Sequence, residues 1–426
     1  VVGLQRQTRI YLEGVSGRRP PVPLEAGRLE AAARKRLSRE AFAYIAGGAG
    51  NERTMAANRA AFDRWRIVPR MLRDVEHRDT SVELFGRRLP SPFLLAPIGV
   101  LELAHPEADC AVARAARDTG TPMIFSNQAS KPMEGLSRIL GDTTHWFQLY
   151  WSRSDELVQS LAARAQRCHC QAIVVTLDTT ILGWRARDLE LGYLPFLQGK
   201  GIAQYTSDPV FTRLISDEPL RPSADQQPRP TPAALRTLIS LTRAYPGGFF
   251  STLLSGRGRA AVQRFIEIYS RPSLTWENLA FLRERTDVPI LLKGILHADD
   301  AARAVKYGMD GVIVSNHGGR QVDGAIATLE ALPDVVRAVD GRIPVLLDSG
   351  IRGGADAFKA IALGARAVLI GRPYVYGLGI AGRDGVREVI QNMQADFELT
   401  MGLAGCRSVA EIRPESLVAA PGLAVS

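Results

Sequence analysis

Eight short apolar runs, each ending in a polar or glycine residue, constrain this chain more than any other feature. They cover residues 93–97, 123–126, 146–150, 173–178, 290–293, 312–315, 345–348 and 368–371. Uninterrupted apolar runs of this length read as parallel strands buried on both faces. Nearly all are followed by segments, such as 108–119, 155–166, 299–307 and 355–363, in which apolar residues recur at three- and four-residue spacing among Arg, Asp and Lys. Those are amphipathic helices. Eight strand-then-helix units predict an α/β fold of the (β/α)8 type, a TIM barrel, because a doubly wound sheet usually needs fewer strands. In such a barrel chemistry sits at the carboxyl ends of the strands. The residues falling there are Ser126, Gln148, Tyr150, Thr176, Asp178, Lys293, His317, Arg320, Asp348 and Arg372.

Two segments lie outside this alternation. Residues 1–90 carry helical patterns at 29–37 and 40–45, stopped by Gly47-Gly48-Ala49-Gly50, and are expected to form an N-terminal helical extension. Residues 91–426 then form the barrel, with 190–273 as a long insertion after strand four, rich in Pro and Arg over 219–232. Loops of that length are usually lids or disordered segments, so a lid is expected. The net charge of +9 comes from scattered arginines without a block of like charges, which argues against a nucleic-acid arm. Apolar runs stay far short of a membrane span, so no membrane partner is expected. The first residues lack a secretory pattern, and four cysteines in 426 residues suit a reducing cytoplasm. Cys168-His169-Cys170 does not match zinc spacings, so no metal is expected.

The segment Ser315-Asn316-His317-Gly318-Gly319-Arg320 combines complementary chemical tools. An imidazole can take a proton near neutral pH, two glycines let the backbone turn sharply, and a guanidinium can clamp a carboxylate. Alternatively it is only a strand-end turn. Asp178 could orient the imidazole or cap its own turn. Arg185 could pair with Arg320 as a carboxylate clamp or lie on the surface. A buried Lys293 needs an anion, whether a ligand or a structural Asp. Tyr44 and Tyr150 could present hydroxyls or be core residues. Asp348-Ser349-Gly350-Ile351-Arg352 and Gly371-Arg372 follow strands seven and eight, where barrels commonly bind a phosphate. A GxGxxG at 377–382 lies beyond the eighth strand and lacks a suitably spaced acidic residue, so a dinucleotide fold is set aside.

From about residue 29 to 403 the chain resembles the FMN-dependent α-hydroxy-acid oxidase and dehydrogenase family. The resemblance rests on motifs at 41–49, 96–99, 105–107, 147–150, 176–179, 182–185, 315–321, 348–352 and 370–373, in that order. It implies FMN as cofactor and His317 as active-site base, paired with Asp178. Arg185, Arg320 and Tyr44 would hold the substrate carboxylate, and Tyr150 would face its hydroxyl. Lys293 would sit at the flavin N1/O2 edge. Pro97, Ile98, Gly99, Ser126, Gln148, Thr176 and Ser315 would meet the flavin. Asp348, Gly350, Arg352, Gly371 and Arg372 would meet its phosphate. Residues 3–7, 10–12 and 182–189 and the long insertion are similar to the lactate 2-monooxygenase branch, in which oxygen converts bound pyruvate to acetate and carbon dioxide. Gly99 stands where several oxidases carry Ala, and is expected to leave space beside the flavin. Phe249-Phe250 could reshape substrate entry and admit a larger 2-hydroxy acid. The implied partners are a small anionic 2-hydroxy acid and O2, in a homotetramer or higher oligomer. The alternatives are a peroxide-releasing oxidase, a dehydrogenase with another acceptor, or a non-redox phosphate-binding isomerase or aldolase.

Overall fold

The computed structural model describes residues 2–217 and 231–420, which leaves most of the Pro/Arg-rich stretch outside the described residues. Eight strands pair in parallel and in chain order: β1 (Phe93–Leu95), β2 (Met123–Phe125), β3 (His145–Leu149), β4 (Ile173–Thr176), β5 (Ile290–Ile295), β6 (Gly311–Val314), β7 (Val345–Leu347) and β8 (Ala367–Ile370). Strand β8 returns to β1, with Val368 opposite Phe93 and Ile370 opposite Leu95, and closes the barrel. The chain is a (β/α)8 barrel.

Strand alternation creates two cores. Leu94, Ile124, Trp146, Val174, Leu291, Ile313, Leu346 and Leu369, one from each strand, fill the barrel interior. Their neighbours, among them Phe93, Phe125, Phe147, Val175, Leu292 and Val368, face the helical shell. Both sets are buried, which is why the strands read as unbroken apolar runs.

The N-terminal residues are only partly helical. A hairpin, Val82–Leu84 against Arg87–Leu89, contributes Val82, Leu84 and Leu89 to the interior cluster. Phe85 packs on Trp146 with ring centroids 5.7 Å apart. Arg366, just before β8, bonds the carbonyl of Glu83, which places the hairpin as a plug at the amino end of the barrel. The cavity can therefore open only at the carboxyl end. The hairpin's strands carry Glu83, Arg87 and Arg88 among few apolar residues, so no apolar run marks them in the sequence. Helices Arg39–Ala46 and Arg53–Asp63 run beside the carboxyl ends and bring Tyr44 and Asn58 there.

The described part of the insertion is a packed helical layer, not a structureless lid. It contains helices Ala203–Thr206, Pro209–Asp217, Pro232–Ala244, Phe249–Ser255 and Arg257–Ile268. Phe265 packs against Tyr205 (4.8 Å), Tyr269 (5.0 Å) and Phe196 (5.2 Å between centroids). Buried Arg164, on helix Asp155–Arg167, bonds the Gln204 carbonyl at 2.7 Å and the Asp208 carboxylate at 3.1 Å, fixing the layer to the barrel. The GxGxxG segment ends where helix Arg372–Leu403 is broken, at Ala381 (φ −146°) and Gly382 (φ 56°, ψ −137°), and the chain folds back on itself there. A Cβ on Gly377 would fall 2.5 Å from the Gly385 carbonyl oxygen, so that glycine serves close packing of the chain on itself.

Candidate active site

The carboxyl ends of the strands converge on one cavity. Tyr44, Tyr150, Arg185, Lys293, His317 and Arg320 line it together with Pro97, Ile98, Gly99, Asp348, Gly350, Arg352, Gly371 and Arg372. Ser126, Gln148, Thr176 and Ser315 are buried at the adjoining strand ends. The sequence-derived candidates thus come together, with differences in what individual groups do.

His317 adopts a left-handed backbone, φ 57°, and its Nδ1 lies 2.9 Å from Asp178 Oδ1. Burial pulls the imidazole pKa down, Asp178 pulls it back, and Lys293 and Arg185 lower it again; the net is below the usual histidine value. The ring is therefore neutral at pH 7 and able to accept a proton. Burial pushes the Asp178 carboxyl up, but His317 and Lys293 outweigh it and hold the group below its ordinary range. Gln321 donates to the Asp178 carbonyl at 2.7 Å and to that of Ile181 at 2.9 Å. Gly294 has φ 105°, and a Cβ there would lie 2.9 Å from Asp178 Cβ; only glycine leaves room for the carboxylate arm.

Beside this pair lie two cations. Arg185 donates to the Arg320 carbonyl and to Gln321 Oε1 at 3.0 Å. Arg320 donates to the carbonyls of Tyr44 and Gly47 and stacks 4.9 Å from the Tyr44 ring centroid. Neither forms an ion pair with a carboxylate among the described residues. Burial, then repulsion from Arg185, brings Arg320 down to about 9. Two buried guanidinium groups facing one space form an anion site. Burial, then Asp178, raises the Tyr150 phenol, so it stays a protonated donor.

A second cationic pole sits after β7 and β8. Gly350 has φ 100°, Gly371 caps the long helix Arg372–Leu403, and Arg352 and Arg372 line the wall. Burial, then Arg372, lowers Arg352 to about 10. A helix N-terminus with arginines and glycine backbone suits a phosphate. Arg59, unanticipated from sequence, bonds the Gly350 carbonyl and Asp356.

Asp348 requires a correction. The resemblance assigned it to the phosphate, yet its carboxylate lies 3.0 Å from Lys293 Nζ and accepts from Ser349 Oγ at 2.8 Å. A carboxylate repels a phosphate; Asp348 serves as the lysine's counter-ion on the cavity wall. Burial depresses Lys293, but Asp348 and Asp178 more than compensate, and its pKa is raised. Gly99 is also corrected. A Cβ there would lie 2.9 Å from Gln128 Cβ and 3.0 Å from its carbonyl oxygen, so Gln128 already fills the space of the missing methyl. Phe249 and Phe250 do not line the cavity, whereas Phe196 and Tyr269 from the insertion do.

A (β/α)8 barrel with a histidine–aspartate pair, an arginine pair and a phosphate-type pole at one end has the build of a phosphate-anchored cofactor enzyme acting on a small carboxylic acid. Residues 33–419 match the family described as FMN-dependent dehydrogenase. The chain is 40% identical over 405 residues to an L-lactate oxidase of Lysinibacillus sphaericus, covering 95% of each. It is 42% identical over 406 residues to the FMN-dependent alpha-hydroxy acid dehydrogenase qulF of Penicillium citrinum, covering 95% of this chain and 93% of that one. A solved structure of mandelate oxidase with (S)-4-hydroxymandelic acid superposes with a TM-score of 0.77 at 37% identity, over 94% of this chain and 100% of that one. The chain belongs to the FMN-dependent dehydrogenase family, as an oxidoreductase of 2-hydroxy acids whose cofactor is FMN.

The residues present fit that cofactor. Gln148 Nε2, Thr176 Oγ1 and Asn127 Nδ2 are buried without a hydrogen-bond partner at the strand ends. An unsatisfied buried polar atom costs about 1–3 kcal/mol, and the polar edge of a flavin would satisfy such atoms.

Proposed function

We propose that this enzyme oxidises a lactate-like L-2-hydroxy acid to the 2-keto acid, with His317 as base. One observation carries this: His317 commits Nδ1 to Asp178 and lines the same cavity as two arginines without carboxylate partners. Nε2 is then the nitrogen left for substrate. FMN, when bound, supplies a two-electron acceptor beside the substrate. Gly350, Arg352, Gly371 and Arg372 would hold its phosphate. Pro97, Ile98, Gly99, Ser126, Gln148, Thr176, Lys293 and Ser315 would hold the ring system. Arg185 and Arg320 bind the substrate carboxylate, with the Tyr44 hydroxyl beside it. The protonated Tyr150 phenol donates to the substrate hydroxyl. His317 Nε2 takes the substrate proton, and Asp178 stabilises the imidazolium that results. For His317→Gln, FMN content should match the parent while anaerobic flavin bleaching by L-lactate slows by about 10²–10⁴. Bleaching within threefold of the parent would overturn the assignment.

The finer reading is a lactate 2-monooxygenase: O2 meets the keto acid before release, and one lactate and one O2 yield acetate, CO2 and water. Support comes from the anchored layer that brings Phe196 and Tyr269 to the cavity. The second reading, an oxidase releasing pyruvate and hydrogen peroxide, is favoured by the identity to an L-lactate oxidase. Product analysis under air separates them: stoichiometric acetate with trace peroxide, or stoichiometric pyruvate with peroxide. A cytoplasmic homotetramer completes the proposal. Ile181, Trp184 and Val322 are 70%, 73% and 64% exposed and would be covered by neighbouring copies, which a light-scattering mass checks.

A further inference from the structure

His317 occupies a backbone conformation that L-residues rarely adopt, so something must hold it there. The preceding Asn316 is the point of restraint. Its side chain forms a reciprocal amide pair with Asn58, on helix Arg53–Asp63 of the N-terminal extension. Asn58 Nδ2 donates to Asn316 Oδ1 at 2.8 Å, and Asn316 Nδ2 donates to Asn58 Oδ1 at 2.7 Å. Asn316 Oδ1 also accepts the Gly319 N–H at 3.1 Å, and its Nδ2 donates to the Ile326 carbonyl. Asn58 Oδ1 also accepts the Thr328 N–H at 3.2 Å. Both asparagines are buried, at 2% and 5% exposure. The pair thus ties the turn carrying His317 to a helix 258 residues away in sequence.

The helix is anchored independently. Thr54 Oγ1 donates to the Val322 carbonyl at 2.8 Å, Asp323 accepts the N–H groups of Asn51 and Thr54, and Arg59 bonds Gly350 and Asp356. Losing the amide pair should leave the helix docked on the later part of the same loop, at Val322 and Asp323, and loosen the turn at Asn316, with Gly318 still held by Ser349 and Arg372. We propose that Asn58 is a positioning residue for proton transfer: through Asn316 it holds His317 in line with Asp178. Asn58 lies outside the lining of the main cavity, so it reaches His317 through the turn; its second tie, to Thr328 and from there to the Asp348 carbonyl, is why FMN binding is measured alongside kcat. The inference rests on the assignment of His317 as base.

The test uses the FMN-loaded holoenzyme with L-lactate. Asn58→Leu and Asn316→Leu should each lower kcat about 10–100-fold, with KM and the FMN dissociation constant within threefold of the parent. Their double variant should lose less than the product of the two single losses, because the amide pair is shared while the bonds to Gly319, Ile326 and Thr328 are not. The acid limb of kcat/KM reports the imidazole, which faces Asp178, Lys293 and Arg185. With Asp178 no longer aligned, the groups that favour the neutral ring dominate, and the limb should move to lower pH. Asn58→Asp keeps an acceptor for Thr328 and Asn316 but loses the donor to Asn316 Oδ1, so it should fall between parent and Leu. If Asn58→Leu does not fold, Asn58→Asp with its kcat and pH profile decides alone. Unchanged kcat with an unmoved limb overturns the inference, as do additive losses or kcat losses matched by FMN loss. His317→Gln run in parallel keeps the cases apart: if it retains activity the base assignment fails, and if it alone is inactive only the role of Asn58 fails.

Discussion

Replacing Asp178 with Asn should be the most revealing single change in the site. The substitution keeps the size and one acceptor but removes the charge that faces His317 Nδ1 at 2.9 Å. With charge centres about 4 Å apart and an effective dielectric of about 20, an imidazolium–carboxylate pair is worth about 4 kcal/mol. That interaction exists only once His317 has taken the proton, so it lowers the barrier and leaves the substrate complex unaffected. The imidazole keeps 19% of its side chain exposed, and screening reduces the figure. At 1.36 kcal/mol per factor of ten, the loss in flavin reduction should be about 10²–10³. The sign of the pH effect is fixed as well. Asp178 is what pulls the His317 pKa up, whereas burial, Lys293 and Arg185 pull it down. In Asp178→Asn the acid limb of kcat/KM should therefore move to lower pH while the plateau falls. Stopped-flow bleaching by L-lactate between pH 5 and 8, with FMN content checked by absorbance, reads both effects. A loss below tenfold, or a limb displaced to higher pH, would refute the electrostatic account of the pair.

Three further outcomes follow from the same geometry. Arg352→Met should weaken FMN while leaving riboflavin binding unchanged, read by quenching of flavin fluorescence on titration into apoprotein; equal losses for both would place Arg352 away from the phosphate. Lys293→Met leaves the Asp348 carboxylate buried without its ion-pair partner and should cost about 3–5 kcal/mol in denaturant unfolding. In the parent, the raised Lys293 pKa means that its stabilisation is complete below pH 10.5 and is lost only as pH climbs through the higher folded value. Gly294→Ala forces a side chain at φ 105° and against Asp178 Cβ, and should cost about 1–3 kcal/mol in stability together with a fall in kcat.

The barrel was legible because its grammar is local. A strand buried on both faces must be apolar throughout, and helix Ala108–Thr119 falls where its periodicity placed it. Functional residues at strand ends were legible for a related reason: closure of the barrel brings every strand end to one rim, so a polar residue there has few other places to go. The insertion was legible as an interruption of the barrel, but its helices were not, although Pro232 stands at the first position of one, where proline is favoured. The hairpin plug escaped because no apolar run marks its strands. Asn58, Gly294 and Gln321 escaped because their value lies in a partner far along the chain. An asparagine in a helix, or a glycine after a lysine, gives no local hint that it borders the base.

The charges in the cavity explain why a single pocket needs two anions at separate places. Arg185 and Arg320 serve one, Arg352 and Arg372 the other, and the two pairs adjoin at the Gly47 carbonyl, to which Arg320 and Arg372 both donate at 2.9 Å; burial holds Arg320, Arg352 and Arg372 below the usual guanidinium value. Such poles are costly alone and favourable once each meets an anion. The other cations of the cavity are already answered: Lys293 by Asp348, and the incipient imidazolium by Asp178. A free carboxylate or phosphate therefore gains most beside the arginines. FMN carries its charge on a phosphate remote from its ring, and a 2-hydroxy acid carries its charge beside the carbon to be oxidised. Anchoring each molecule by its anion would bring the ring and the reacting carbon beside His317, whose Nε2 is not committed to Asp178.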